Sequence, residues 1–127
     1  MSYLFDTNII IGFLKNDTNI VSKLSSEQEV NISVVTVGEM LFGANNSGNP
    51  IENTMLYKEL FKHCIIHNIS EITSEYYAEI RHLLKIAGNP IPENDIWIAA
   101  IAKEKNMIIV TRDKHLNQLE FIKTEAW

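Results

Sequence analysis

Short apolar runs alternate along this chain with longer segments in which apolar residues recur at helical spacing. Five apolar runs predict strands, the last of them at an edge of the sheet: residues 3–5, 30–35, 64–69, 107–111 and 121–124. Helical spacing and helix-starting residues predict six helices: residues 7–14, 18–28, 36–44, 51–63, 74–87 and 94–105. Because strands alternate with helices, we predict an α/β fold, a three-layer sandwich with a mostly parallel central sheet.

Composition adds limits on the class of protein. Of the 127 residues 46% are hydrophobic and 21% are charged, a balance that excludes a disordered chain and fits one domain over residues 1–127. The one cysteine, Cys64, cannot form a disulfide within the chain. No apolar run approaches the ~18 residues needed to cross a bilayer, and the N-terminus lacks the pattern of a signal peptide. We therefore expect a cytoplasmic protein with no membrane segment.

Four carboxylates fall where strands end or helices begin. Asp6 ends the first predicted strand, Asp113 follows the strand 107–111, Asp95 opens a helix, and Glu39 lies in the helix after the second strand. These positions converge on one edge of a parallel sheet, where α/β proteins place their sites. We therefore expect these four carboxylates to meet.

Helix capping alone also explains each of the three aspartates. Glu39 is harder to explain in that way, because its helical neighbours are apolar and a buried carboxylate is costly unless it is paired or bound to metal. Clustered carboxylates repel one another, and a hard cation relieves that repulsion. The sequence thus favours a Mg²⁺ or Mn²⁺ site over zinc, and we expect surface or packing roles for the four histidines: His63, His67, His82 and His115.

Small polar side chains accompany the predicted acidic cluster. Thr7, Asn8 and Thr111 carry hydroxyl or amide groups that can orient metal ligands or a phosphate oxygen, although caps and turns use the same residues. Arg112 places a positive charge next to Asp113 in the sequence, with a solvated surface role as the alternative. Asp17 is interpreted as an ordinary turn or capping residue.

Four segments together resemble a known family. The segments 3–8, 33–43, 92–100 and 108–113 (YLFDTN, SVVTVGEMLFG, PENDIWIAA and IIVTRD) are similar to the four acidic motifs of PIN domains, in order along nearly the whole chain. The residues 124–127 (TEAW) are similar to the tail of VapC-type toxins of bacterial toxin–antitoxin pairs. In one departure, many VapC-type chains carry Asn-Asn directly after the threonine, whereas this chain has Arg112 and Asp113.

The resemblance implies a Mg²⁺- or Mn²⁺-dependent endoribonuclease that hydrolyses phosphodiester bonds of tRNA or another structured RNA. Asp6, Glu39, Asp95 and Asp113 would be its catalytic and metal-binding residues, and Thr111 would support them. The resemblance also implies a VapB-type antitoxin as partner and a homodimer. Apolar residues of the segments 41–42 and 55–57 are candidate contacts, although apolar stripes on helices are more often part of the core.

Two alternatives remain open at this point. A Mg²⁺-dependent phosphatase of the haloacid-dehalogenase type also begins with a strand ending in aspartate, but its proton-donating second aspartate would stand where this chain has Asn8. A PIN-like binding module without activity is the other, and the intact acid set argues against it. The net charge of −5 is weak evidence against RNA, because without the four predicted site carboxylates twelve acids face eleven bases.

Overall fold

A five-stranded parallel sheet with helices packed against it organises the chain. The computed structural model describes residues 2–24 and 29–127. In chain order the strands are β1 Tyr3–Phe5, β2 Asn31–Ser33, β3 Ile65–His67, β4 Ile108–Val110 and β5 Thr124–Glu125. They follow the spatial order β3–β2–β1–β4–β5, and all of them pair in parallel.

Seven helices connect and flank the strands in the described part of the chain. They are α1 Thr7–Leu14, α2 Thr18–Leu24, α3 Val34–Asn45, α4 Pro50–Phe61, α5 Glu71–Ala87, α6 Glu93–Lys105 and α7 Lys114–Asn117. No helix of residues 2–24 and 29–127 combines the length and the apolar character needed to span a membrane. The α/β fold with a parallel sheet between helices confirms the architecture predicted from the sequence.

The central strand β1 connects the two halves of the core. Leu4 and Phe5 are fully buried and point to opposite faces of the sheet, since side chains alternate along a strand. Leu4 packs in a cluster with residues of α5 and α6, whereas Phe5 packs in a second cluster with α1, α3 and Trp127. The neighbouring strand β4 divides its residues in the same way, Ile109 to the first cluster and Val110 to the second. Helices therefore cover both faces.

The structure differs from the predicted boundaries where a side chain caps a helix. The predicted strand 30–35 ends at Ser33, because the Ser33 hydroxyl accepts a hydrogen bond from the Thr36 backbone N–H at 3.0 Å and starts α3 at Val34. Helix α3 thus begins two residues before the predicted start at residue 36, because the Ser33 cap overrides the strand propensity of two valines. Likewise Ser70 begins α5 at Glu71, three residues before the predicted start.

The remaining differences are small. The edge strand β5 covers Thr124–Glu125, later than the predicted 121–124. Helix α2 is described as far as Leu24, so the predicted extension over residues 25–28 lies outside the described residues. Three side chains of the segments proposed for partner contacts are exposed: Phe42, Met55 and Leu56.

Candidate active site

Asp6 stands at the carboxyl end of the central strand and serves two purposes. It caps α1, because its Oδ1 accepts a hydrogen bond from the Thr7 backbone N–H at 2.8 Å. Its Oδ2 accepts a hydrogen bond from the Thr111 hydroxyl at 2.7 Å. Only 5% of the residue is exposed, which an ordinary surface cap would not require. The capping interpretation is therefore correct but incomplete.

Thr111 and Asn8 tie the first acidic segment to the last one. The Thr111 hydroxyl is fully buried and accepts hydrogen bonds from the Asp113 backbone N–H at 2.9 Å and from Asn8 Nδ2 at 3.3 Å. Asn8 Oδ1 accepts a hydrogen bond from the Arg112 backbone N–H at 3.2 Å. The end of β1 and the end of β4 are thus joined through side chains as well as through strand pairing.

Glu39 enters the same region from α3. The Thr7 hydroxyl donates a hydrogen bond to Glu39 Oε1 at 2.8 Å, and the glutamate side chain is half-buried. An open pocket of about 360 Å³ adjoins this glutamate, lined by Val35, Gly38, Glu39, Phe42 and Asn94. Glu39 therefore faces both the acidic cluster and a recess in which a ligand has room.

Asp95, in the first turn of α6, is the least compensated of the four acids. The residue is 7% exposed, and its Oδ2 is buried without a hydrogen-bond partner among the described residues. Burial, followed by the negative charges of Asp113 and Asp6, raises the pKa of Asp95 to about 7. Burial also raises the pKa of Asp6, against the hydrogen bonds from Thr111 and Thr7 that lower it. The carboxylates are close enough to destabilise one another's charged forms.

Asp113 brings a histidine into the cluster. It caps the one-turn helix α7, accepting a hydrogen bond from the His115 backbone N–H at 2.8 Å, and the same Oδ1 lies 3.1 Å from His115 Nδ1. In residues 2–24 and 29–127, one group of three potential metal ligands has its ligand atoms within 4.8 Å of one another, and it consists of Asp95, Asp113 and His115.

Sequence reasoning assigned His115 a surface or packing role and missed this proximity. A signal was present, because a histidine two residues after a helix-capping aspartate lies beside that aspartate. The other histidines lie elsewhere: His63 and His82 are exposed, and His67 Nε2 is 3.0 Å from Asn31 Oδ1.

Arg112 contributes its backbone N–H to the site, whereas its guanidinium group binds residues outside the acidic cluster. Its Nε donates a hydrogen bond to the Trp127 carbonyl oxygen at 2.6 Å, and its Nη1 donates one to Asp17 Oδ2 at 2.9 Å. The hydrogen bond from Arg112 holds the pKa of Asp17 below its ordinary value. Asp17 also caps α2 by accepting from the Asn19 and Ile20 backbone N–H groups, as the sequence predicted.

Comparison with known proteins identifies the family. The PIN domain family profile matches residues 3–122. Ribonuclease VapC1 of Haemophilus influenzae (strain R2866) is 30% identical over 132 residues, which cover 100% of this chain and 98% of that protein. The tRNA(fMet)-specific endonuclease VapC of Shigella flexneri is 26% identical over 130 residues, with 100% and 98% coverage.

A solved structure agrees with these sequence matches. The structure of VapBC2 from Rickettsia felis, bound to a DNA fragment from their promoter, superposes with a TM-score of 0.90 at 25% identity and covers 100% of this chain and 99% of that one. The match in fold therefore extends over the whole chain. The chain belongs to the PIN-domain family, among its VapC-type members, as the resemblance of its four acidic motifs predicted.

Proposed function

We propose that this chain is a VapC-type endoribonuclease that depends on a divalent metal ion, Mg²⁺ or Mn²⁺, and acts as the toxin of a toxin–antitoxin pair. One observation supports the metal most directly: a buried carboxylate oxygen, Asp95 Oδ2, that has no partner in the described part of the chain and lies among other acids. Burying an uncompensated carboxylate is costly, and a bound cation removes that cost.

The residues present fit such an ion. Asp6, Glu39, Asp95 and Asp113 offer the oxygen ligands that Mg²⁺ and Mn²⁺ favour. When bound, the ion lowers the pKa of a water molecule for attack on a phosphodiester and offsets charge on the leaving oxygen. Asp95 and Asp113 would hold it together, because they offer ligand atoms within 4.8 Å of one another and Asp95 Oδ2 has no partner among the described residues.

The chain's own groups orient these ligands. The Thr7 N–H and the Thr111 hydroxyl each engage one oxygen of Asp6, so the carboxylate cannot rotate freely. The Thr7 hydroxyl holds Glu39, and Asn8 fixes the backbone that precedes Asp113 through Arg112 N–H. Hydrogen bonds of this kind set the direction of metal ligands. Thr7, Asn8, Thr111 and Arg112 are therefore positioning residues in this proposal.

We infer a structured RNA, tRNA among the candidates, as the substrate. One relative, 26% identical over the whole chain, is named a tRNA(fMet)-specific endonuclease. The carboxylates act on the phosphodiester group that every RNA shares, so the choice of RNA falls to surrounding loops such as residues 45–50. A cytoplasmic location belongs to the same proposal.

The proposed partners are a VapB-type antitoxin and a second copy of the chain. The similar structure from Rickettsia felis is of VapBC2, a complex. Phe42, Met55 and Leu56 present exposed apolar side chains on the packed helices α3 and α4, and apolar side chains of this kind are typical of protein interfaces. Growth arrest on expression, relieved by co-expression of a small partner, is the expected result in cells.

Cleavage of RNA by the purified full chain tests the enzymatic proposal. We expect cleavage of tRNA with Mg²⁺ or Mn²⁺ and none in excess EDTA. Asp6→Asn removes a metal ligand and should lower the rate by at least about a hundredfold, while circular dichroism shows an unchanged fold. Asp17→Asn is the matched control, since it makes the same change at an aspartate outside the cluster.

Two results would contradict the proposal. Undiminished cleavage by Asp6→Asn, or by wild type in EDTA, would exclude a metal-dependent mechanism at this site. Absence of cleavage with every RNA and metal tested, together with retained binding of a partner, would favour the inactive binding module instead.

A further inference from the structure

The acidic cluster has beside it a histidine that none of the four acidic motifs includes. His115 Nδ1 lies 3.1 Å from Asp113 Oδ1, and both residues offer ligand atoms within 4.8 Å of one from Asp95. Adjacent ligands of an octahedral ion with bonds of about 2.1 Å are separated by about 3.0 Å. The imidazole therefore stands at the spacing expected of a ligand that shares an ion with Asp113.

We propose that His115 contributes a ring nitrogen to the ion held by Asp95 and Asp113, and that the site consequently prefers a first-row transition ion such as Mn²⁺ to Mg²⁺. This inference rests on the metal-dependent function proposed above. Nitrogen ligands strengthen binding of transition ions, whereas Mg²⁺ is bound through oxygen. A site with one imidazole among carboxylates therefore differs more in its affinity for transition ions and for Mg²⁺ than a site of carboxylates alone.

An independent observation points to an ion between these side chains. Asp95 is more than nine-tenths buried, and its Oδ2 meets no donor in the described ranges of the chain. A hydrogen bond from His115 to Asp113 explains the 3.1 Å contact but leaves that oxygen without a partner. A cation bound by all three residues accounts for both observations.

His115 is also free to adjust to an ion. Its side chain is 59% exposed, so the ring can rotate without disturbing the core. Its backbone is fixed by the hydrogen bond of its N–H to Asp113. The nitrogen therefore stays close to the cluster while its exact position adapts to the bond length of the ion.

Electron spin echo spectroscopy of the Mn²⁺-loaded full chain tests the assignment, because a coordinated imidazole nitrogen modulates the Mn²⁺ echo. We expect nitrogen modulation in the wild type and its loss in His115→Gln. His82→Gln, at an exposed histidine on α5, should retain it. By titration calorimetry His115→Gln should lower Mn²⁺ affinity at least about tenfold and change Mg²⁺ affinity far less.

The outcomes separate the two proposals. Mn²⁺ binding without nitrogen modulation in the wild type, or with modulation that persists in His115→Gln, overturns the ligand role and leaves the metal-dependent nuclease standing. A wild-type chain that binds neither Mn²⁺ nor Mg²⁺ overturns both. The wild-type spectrum decides the point even where a variant is unstable.

Discussion

Two carboxylates two residues apart on α6 show opposite ways of placing a negative charge. Glu93 is exposed, accepts hydrogen bonds from the Tyr77 hydroxyl and lies 2.9 Å from Arg81 Nη1. Asp95 is buried and has an oxygen without a partner among the described residues, and the negative charge of Asp113 helps to raise its pKa. The first charge is neutralised by the chain itself, and the second is not.

The difference separates an acid with partners in the chain from one whose oxygen is left for a ligand. An exposed ion pair such as that of Glu93 contributes about 0–1 kcal/mol to stability and needs no ligand. An uncompensated buried carboxylate such as Asp95 lowers stability, and proteins retain such groups mainly where a ligand or a reaction uses them. Burial and partners, and not the residue type, distinguish the two acids.

The largest expected effect is the loss of RNA cleavage when the carboxylate of Asp95 is replaced by an amide, with the same replacement at Glu93 as the comparison. Asp95→Asn removes a proposed metal ligand and should lower the rate of RNA cleavage by at least about a hundredfold. Glu93→Gln alters an exposed pair and should leave the rate within about twofold of wild type. Initial rates at saturating metal measure both. Equal losses from the two variants would show that burial and a missing partner do not distinguish Asp95 from Glu93 in function.

A smaller loss is expected from Thr111→Val, which keeps the shape of a fully buried side chain and removes its hydroxyl. Asp6 Oδ2 then loses its donor, and the Asp113 N–H loses its acceptor. We expect about 1–3 kcal/mol of lost stability and roughly tenfold slower cleavage. Thr111→Ser retains the hydroxyl and serves as the control, with denaturant unfolding and cleavage rates as the measurements.

If Thr111→Val unfolded as the wild type does and cleaved at the same rate, the hydroxyl would not hold Asp6 in place. If Thr111→Ser lost as much as Thr111→Val, the effect would come from packing and not from the hydrogen bond.

A third prediction concerns pH in the absence of metal. The pKa of Asp95 is about 7 in the folded chain and 3.8 as its ordinary value, so the unfolded chain releases this proton more readily. Stability should therefore fall as pH rises from about 4 to about 7, and the full loss is present above that range. We expect the free energy of unfolding to fall by roughly 1–2 kcal/mol. This is less than the whole pKa shift of Asp95 implies, because water screens part of the site.

Thermal unfolding in EDTA between pH 5 and 8 measures this loss. Asp95→Asn should abolish most of this loss of stability. The difference in stability between wild type and variant is the quantity to compare, because burial lowers the pKa of His67 and makes the stability of both proteins rise with pH. Added Mn²⁺ should restore the wild type at pH 8 by binding the folded state. A wild type that grows more stable than Asp95→Asn towards pH 8 without metal would contradict the prediction.

The smallest effect is expected from Arg112→Gln. The guanidinium of Arg112 binds Asp17 and the Trp127 carbonyl oxygen, on a partly exposed surface. The variant keeps the backbone N–H that binds Asn8, so cleavage should stay within about threefold and the midpoint of unfolding within a few degrees. A large rise in KM with an unchanged midpoint would mean that the arginine contacts RNA directly.

The sheet and the four acidic positions were predictable from the sequence for the same physical reason. Parallel strands end at one edge, so polar residues that follow apolar runs come together there, as Asp6 and Thr111 do. Element boundaries were less predictable where a hydroxyl overrides propensity, as Ser33 does for the two valines after it. The direction of the Arg112 guanidinium depends on Trp127, fifteen residues later, and adjacency to Asp113 gave no indication of it.

The hydrogen bond between Thr111 and Asp6 joins residues 105 positions apart, and β1 lies between two strands that the chain supplies later. At about 5–20 residues per second, a ribosome needs roughly 5–20 s between making the first aspartate and the threonine that secures it. Until then Asp6 has neither its hydroxyl donor nor the neighbouring carboxylate of Asp113, which the chain supplies two residues later. The acidic cluster therefore cannot be complete until nearly the whole chain has been made, so any chemistry that needs all four acids belongs to the finished protein and not to the growing chain.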